Sequence, residues 1–228
     1  MEAEQTITRN RQLWGLCERR VCRTFTFRGW LFLLSLVALA IASIGAALHP
    51  FLAKSQPVQA RVLVVEGWLP DYALQQAVSE FREKGYERLI VIGGPVEIGA
   101  SLSEYKTDAD VGAAVLKRLG FDSKTLISVP GEYHRRGRTT GAALSVRDYI
   151  IHGVHGGMPV DALNVVTSGP HARRTRLVYQ RTMGNRVRVG VLSVVERSYD
   201  PKRWWVSSQG VRTVLDEALA YTYALFGG

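Results

Sequence analysis

Cysteine is nearly absent from this 228-residue chain, and its two copies, Cys17 and Cys22, both lie close to the N-terminus. No disulfide or cysteine-metal site can therefore support anything beyond residue 22. The two thiols stand five apart without a nearby histidine, which does not suit a zinc pair, and no other metal-ligand pattern stands out. The chain also lacks the GxGxxG, GxxxxGK[ST], HExxH and GxSxG patterns. Their absence disfavours ordinary dinucleotide-binding, P-loop, zinc-peptidase and serine-hydrolase chemistry. Repeats and low-complexity tracts are missing too, so one ordinary domain of mixed composition is expected.

Charge is missing altogether from the nineteen residues Trp30 to Leu48. As a helix rising ~1.5 Å per residue, that run is about as long as a bilayer core is thick. Six arginines precede it, and the next basic residue beyond it is Lys54. By the positive-inside rule this bias places the N-terminus in the cytoplasm and the main domain outside it, with the helix expected in the inner (cytoplasmic) membrane. A cleaved signal peptide is the competing reading, but the apolar run is longer than the usual h-region. The expected organisation is a basic cytoplasmic segment 1–29, a membrane helix 30–49, a linker 50–60 and an extracytoplasmic domain 61–228. Trp30, Phe25 and Phe27 suit interfacial aromatics.

The formal charge is +9. Up to Ala53 six basic residues face three acidic ones, and after it 23 face 17. A basic domain outside the cytoplasm argues against a nucleic-acid partner. It suits the membrane itself and an anionic small-molecule or lipid-linked ligand.

Beyond the linker, short apolar runs alternate with helical periods. Strands are predicted at 61–66, 89–92, 126–129, 163–167 and 187–191, and helices at 71–84, 103–119, 139–151, 171–183 and 210–226. Near-continuous apolar strands separated by helices mean a mainly parallel sheet covered on both faces. The expected fold class is therefore α/β, Rossmann-like, five-stranded, preceded by one membrane helix. In such sheets ligands bind beyond the carboxyl ends of the strands.

Those ends supply the candidate site. Ser168-Gly169-Pro170-His171 leads from the fourth strand into a helix, where free N–H groups and the positive dipole end suit a phosphate. Arg173 and Arg174 stand in its first turn, a placement that opposes the dipole unless an anion is held there. A second basic run, His134-Arg-Arg-Gly-Arg138, precedes Thr139 and Thr140, either of which could cap a helix or bond a phosphate oxygen. A solvated basic helix face and a charged loop are the plain structural readings of the two runs. Glu66 ends the first strand, where a carboxylate is expensive to bury unless paired or used. It could hold a hydroxyl or a metal ion, or pair with Arg174. Gly67 and Trp68 follow it, and Gly93 and Gly94 end the second strand, where they permit close approach or simply make a turn. His171 and Glu66 are the candidate catalytic residues. No cofactor can be named from these patterns.

Several of these segments together resemble the SanA/ElyC/YdcF-like envelope proteins. They are the helix closed by Lys84-Gly-Tyr86, the strand ending in Ile92-Gly-Gly94, the Thr139 helix start and Val166-Thr-Ser-x-x-His-x-x-Arg174. The resemblance covers about residues 61–195, and the last segment is its most specific part. It implies a Rossmann-like fold and a role in envelope biogenesis, in peptidoglycan, lipid-carrier or exopolysaccharide processes. One branch is associated with S-adenosylmethionine. His171, Arg174, Thr139, Gly93 and Gly94 match the family pattern. Ala142 stands where an asparagine is frequent, and Glu66-Gly-Trp68 where glycine-rich forms are common. Two functions follow: an enzyme acting on a phosphorylated, lipid-linked precursor, or a non-catalytic module binding such a carrier or a nucleoside ligand.

The tail carries Tyr199-Asp-Pro-Lys-Arg-Trp-Trp205 and a mostly apolar helix too short to span a bilayer. Packing against the sheet is its expected role. The rival is a membrane surface contact through Trp204, Trp205, Lys202 and Arg203.

Overall fold

The computed structural model describes residues 24–97, 99, 101–132, 137–152 and 159–226. Helix α1 covers Phe27–Leu52, with mean hydropathy 2.5 in its most apolar window, long and apolar enough to cross a membrane. The helix runs through Pro50, past the expected start of a linker. Its last residue, Leu52, is fully buried in a cluster with Tyr199, Trp204 and Val214, and that packing holds the turn which the proline weakens. Among the described residues, those up to Ala42 and those from Ser43 onward form separate compact units.

In the second unit five strands, β1 (Val62–Glu66), β2 (Arg88–Gly93), β3 (Leu126–Pro130), β4 (Ala162–Ser168) and β5 (Arg188–Val194), form one sheet in the order β3-β2-β1-β4-β5. Every pairing in it is parallel, so the fold is a Rossmann-like α/β sheet. Helices α2 (Asp71–Lys84) and α3 (Asp108–Arg118) cover one face, burying Leu74, Ala77 and Leu116 against Leu63, Val65, Leu89 and Val91. On the other face α4 (Arg138–His152) and α5 (Ala172–Met183) pack Val146, Tyr179 and Met183 on Val64, Ile90, Leu163 and Val165. Alternate residues of one strand thus feed opposite cores, which is why the strands read as unbroken apolar runs.

α3 begins at Asp108, five residues later than its periodicity suggests. Thr107 sets the start: its hydroxyl accepts from the Asp110 amide at 3.2 Å and donates to the Asp110 carboxylate at 2.6 Å. A methyl group on Gly67 would lie 2.2 Å from the Asp108 carbonyl oxygen, and one on Gly93 would lie 2.5 Å from the Ala109 amide. These two glycines let the first turn of α3 sit directly on the ends of β1 and β2.

Residues 53–60 are tied along β5. The Gln56 amide donates to the Val191 carbonyl at 2.8 Å, and the Val191 amide donates back at 3.1 Å. Buried Asn164 grips the Val58 amide and carbonyl and donates to the Tyr86 hydroxyl. The segment thereby covers an edge strand that would otherwise present open backbone groups. A 3₁₀ turn, Pro201–Val206, leads to α6 (Ser208–Phe226), whose inner side packs on the end of α1 and on α5.

Candidate functional site

The sheet order reverses between β1 and β4, and the carboxyl ends of those strands part there to leave a cleft. Its volume is about 270 Å³. Glu66 lies at its base as the last residue of β1, with only 2% of its surface exposed. Trp68 follows in the next turn. Gly93 and Gly94 come from the end of β2, Asp108 from the start of α3, and Arg138 and Thr139 from the first turn of α4. His171 belongs to the short 3₁₀ turn Gly169–His171 that joins β4 to α5, while Arg174 sits in the first turn of α5 and Glu217 on α6.

Three of these residues, His171, Arg174 and Glu217, are charged, largely enclosed and bonded to one another, and Thr139 joins them. The Glu217 carboxylate receives Arg174 through two parallel bonds, Nε to Oε2 at 2.8 Å and Nη2 to Oε1 at 2.9 Å. His171 Nδ1 lies 2.8 Å from the same Oε1. Arg174 Nη2 also lies 2.9 Å from His171 Nδ1. Since a guanidinium can only donate, this is an approach of two cations sharing one carboxylate oxygen. The third guanidinium nitrogen, Nη1, donates to Thr139 Oγ1 at 2.9 Å.

On its other side His171 is held loosely. Nε2 stands 3.5 Å from Thr139 Oγ1 and 3.6 Å from Glu66 Oε1, both longer than a good hydrogen bond. Glu66 is bonded through its other oxygen, which accepts from the buried Thr167 hydroxyl at 2.5 Å. The Trp68 indole meets the imidazole edge-on, with ring centroids 5.6 Å apart. One imidazole nitrogen is therefore fixed and the other faces the cleft.

Burial by itself would lower the His171 pKa, but the Glu66 charge and the hydrogen bond to Glu217 outweigh it and hold it at about 9. Burial would likewise raise Glu217. Hydrogen bonds from Arg174 and His171 instead bring its carboxyl down to about 2. Asp108 at the rim moves the other way: burial raises its pKa against the opposing pull of Arg138. With His171 protonated, the lining carries three cationic side chains, His171, Arg174 and Arg138, against Glu66, Asp108 and Glu217. Among the described lining residues, cationic and anionic side chains are thus equal in number. No cluster of three metal-ligating side chains with metal-site geometry occurs among the described residues.

The structure brings together Glu66, Trp68, Gly93, Gly94, Arg138, Thr139, His171 and Arg174 of the expected site. Arg173 faces elsewhere. Its guanidinium lies over the Phe51 ring at 3.8 Å and donates to the Phe51 carbonyl at 2.6 Å. Ser168 donates to Glu196 at 3.0 Å, and Gly169 takes a positive φ of 36° beside Glu196 and Tyr199. Gly67 is occupied by the α3 contact, and Thr140 does not line the cleft. Residues 134–136 of the second basic run lie outside the described residues. Arg138 itself is 84% exposed, with only a loose 3.9 Å approach to Glu97.

Arg174, read from the sequence as a phosphate ligand or a partner of Glu66, has Glu217 as its carboxylate. Glu217 and Asp108 were missed by sequence reading. For Glu217 a signal existed: stepping along the buried side of α6 through Gly210, Val214 and Ala224, it stands on the inward face of the helix. An acid on that stripe requires a partner, and the stripe itself says nothing of which one. The chain matches no family model and no curated protein.

Proposed function

We propose that this chain is a membrane-anchored enzyme of the cell envelope that acts on a phosphorylated, lipid-linked precursor outside the cytoplasm. The observation that carries the reading is the imidazole of His171, locked by Glu217 at Nδ1 and presented to the cleft at Nε2 beside Glu66. A buried imidazolium next to a buried carboxylate is an acid–base pair. In the proposed hydrolysis, Glu66 takes a proton from the attacking water as its oxygen bonds to phosphorus. His171 gives its Nε2 proton to the leaving oxygen as the old P–O bond breaks. Arg138, exposed at the mouth, steadies the phosphoryl oxygens. The apolar run of α1 supports the membrane location, and the basic bias ahead of it supports an external domain. The resemblance of residues 61–195 to the SanA/ElyC/YdcF-like proteins supports the envelope role.

A binding module is the second reading, favoured by the half-exposed Trp68 ring at the cleft, which suits stacking on a planar nucleoside such as that of S-adenosylmethionine. Turnover separates the two. Full-length protein in lipid nanodiscs is incubated with polyprenyl phosphate and pyrophosphate. Release of inorganic phosphate that is abolished in His171→Ala supports the enzyme. Tight binding without release, equal in wild type and His171→Ala, refutes it.

A further inference from the structure

The turn that precedes α6 is bonded to the C-terminal part of α1. Buried Trp204 donates its indole N–H to the carbonyl of Gly45 at 2.9 Å. Gly45 lies within the charge-free run that ends at Leu48, about 4.5 Å short of that end by helical rise. The turn Pro201–Val206 is therefore tied to the part of α1 that carries the end of this run. The outward side of the turn is chemically amphipathic. Trp205 stacks edge-on against Trp204 with centroids 5.9 Å apart and is 48% exposed, and Val206 is 66% exposed. Lys202 is exposed and takes no ion pair among the described residues, whereas Arg203 bonds Asp200 at 3.1 Å.

From this we infer that the Pro201–Val206 turn is an interfacial foot. Trp205 and Val206 enter the boundary between head groups and acyl chains, and Lys202 lies among lipid phosphates. The occupant of this surface is the bilayer itself, because the turn is bonded to the very helix that would cross it. Indole and aliphatic groups at that level gain by leaving water, and an ammonium on a long stem reaches the anionic head groups. Trp204, one of the two interfacial tryptophans weighed from the sequence, serves instead as the internal tie. The inference rests on reading α1 as a membrane span and deepens the proposed function. Glu217 stands nine residues after Ser208, about 13 Å along α6 by helical rise, so the foot keeps the cleft within reach of lipid head groups.

The test uses the full chain with Cys17→Ser and Cys22→Ser, one new cysteine carrying an environment-sensitive fluorophore, and vesicles of phosphatidylcholine and phosphatidylglycerol. Nitroxide groups are placed at shallow positions on the acyl chains. Val206→Cys should be quenched several-fold more than Gln75→Cys, an exposed position on α2. Leu39→Cys, inside the apolar run, reports insertion with deep nitroxides. Quenching at Leu39 with Val206 no more quenched than Gln75 overturns the foot and leaves the span intact. Loss of quenching at both Leu39 and Val206 overturns the span and the foot together.

Discussion

Replacing Glu217 by glutamine removes one negative charge from the buried network while keeping its shape. In the wild type Glu66 and Glu217 oppose His171 and Arg174. In the variant two cations face Glu66 alone, and His171 is the one that can shed its charge. Its pKa should fall from about 9 by at least ~1 unit, each unit being worth ~1.4 kcal/mol. Removing one partner of a buried ion pair costs about 3–5 kcal/mol. At neutral pH the variant should therefore lose about that much stability, softened by the proton His171 gives up. The pH dependence carries a definite sign. His171, raised above its ordinary 6.5, contributes fully below pH 6.5, and that contribution is lost as pH rises through about 9. Glu217, depressed below its ordinary 4.5, contributes fully above that value and is lost as pH falls through about 2. The two shifts share the His171–Glu217 contact and so do not simply add. In Glu217→Gln the share of the acid-side decline that belongs to this carboxyl should vanish, and the alkaline decline, which still begins near pH 6.5, should be smaller and finish below pH 9. Urea unfolding across pH measures the stability. Proton NMR of the imidazole signals, assigned by comparison with His171→Gln, measures the titration. A His171 midpoint unmoved in the variant, or a stability loss under ~1 kcal/mol, would refute the network as described.

Gly67→Ala should destabilise the domain by about 2 kcal/mol or more, because its methyl group meets backbone of α3 at 2.2 Å and cannot push it aside; a urea midpoint equal to wild type would contradict that close packing. Arg173→Ala should lower stability by about 1 kcal/mol through the lost Phe51 contacts. It should leave phosphate-ester turnover unchanged, and a specific loss of turnover would put this arginine back at the ligand. Arg138→Ala should weaken binding of polyprenyl phosphate roughly tenfold, corresponding to ~1.4 kcal/mol, with an unaltered melting curve since the side chain is exposed. Calorimetric titration with equal affinity for wild type and variant would remove Arg138 from the site.

Much of the fold was legible from periodicity alone. Runs such as Val62–Glu66 and Arg88–Gly93 are apolar on both alternating faces, and only a strand buried on two sides needs that. Helices closing at Gly85 and Gly184 separated the strands, so parallel pairing and the location of the cleft at the strand ends followed from local signals. His171 and Glu66 could be picked out because a titratable group at a strand end or a strand-to-helix turn is conspicuous against apolar neighbours. Local pattern also placed the charge-free span, since its length and lack of charge are properties of consecutive residues.

Partnership was a different matter. Whether Arg174 meets a ligand, Glu66 or Glu217 depends on where α6 docks, and Glu217 lies 43 residues away in the chain. Arg173 and Arg174 are adjacent and chemically alike, yet a helix turns successive side chains about 100° apart. That rotation sends one to Phe51 and the other into the cleft. The identity of Gly67 as a packing glycine likewise rests on the first turn of α3 arriving from 41 residues away. Sequence by itself determined which segments are strands and helices, because hydrophobic periodicity is local. Tertiary structure decided which charges neutralise one another, because burying an ion is tolerable only beside a counter-ion that the fold alone can bring there.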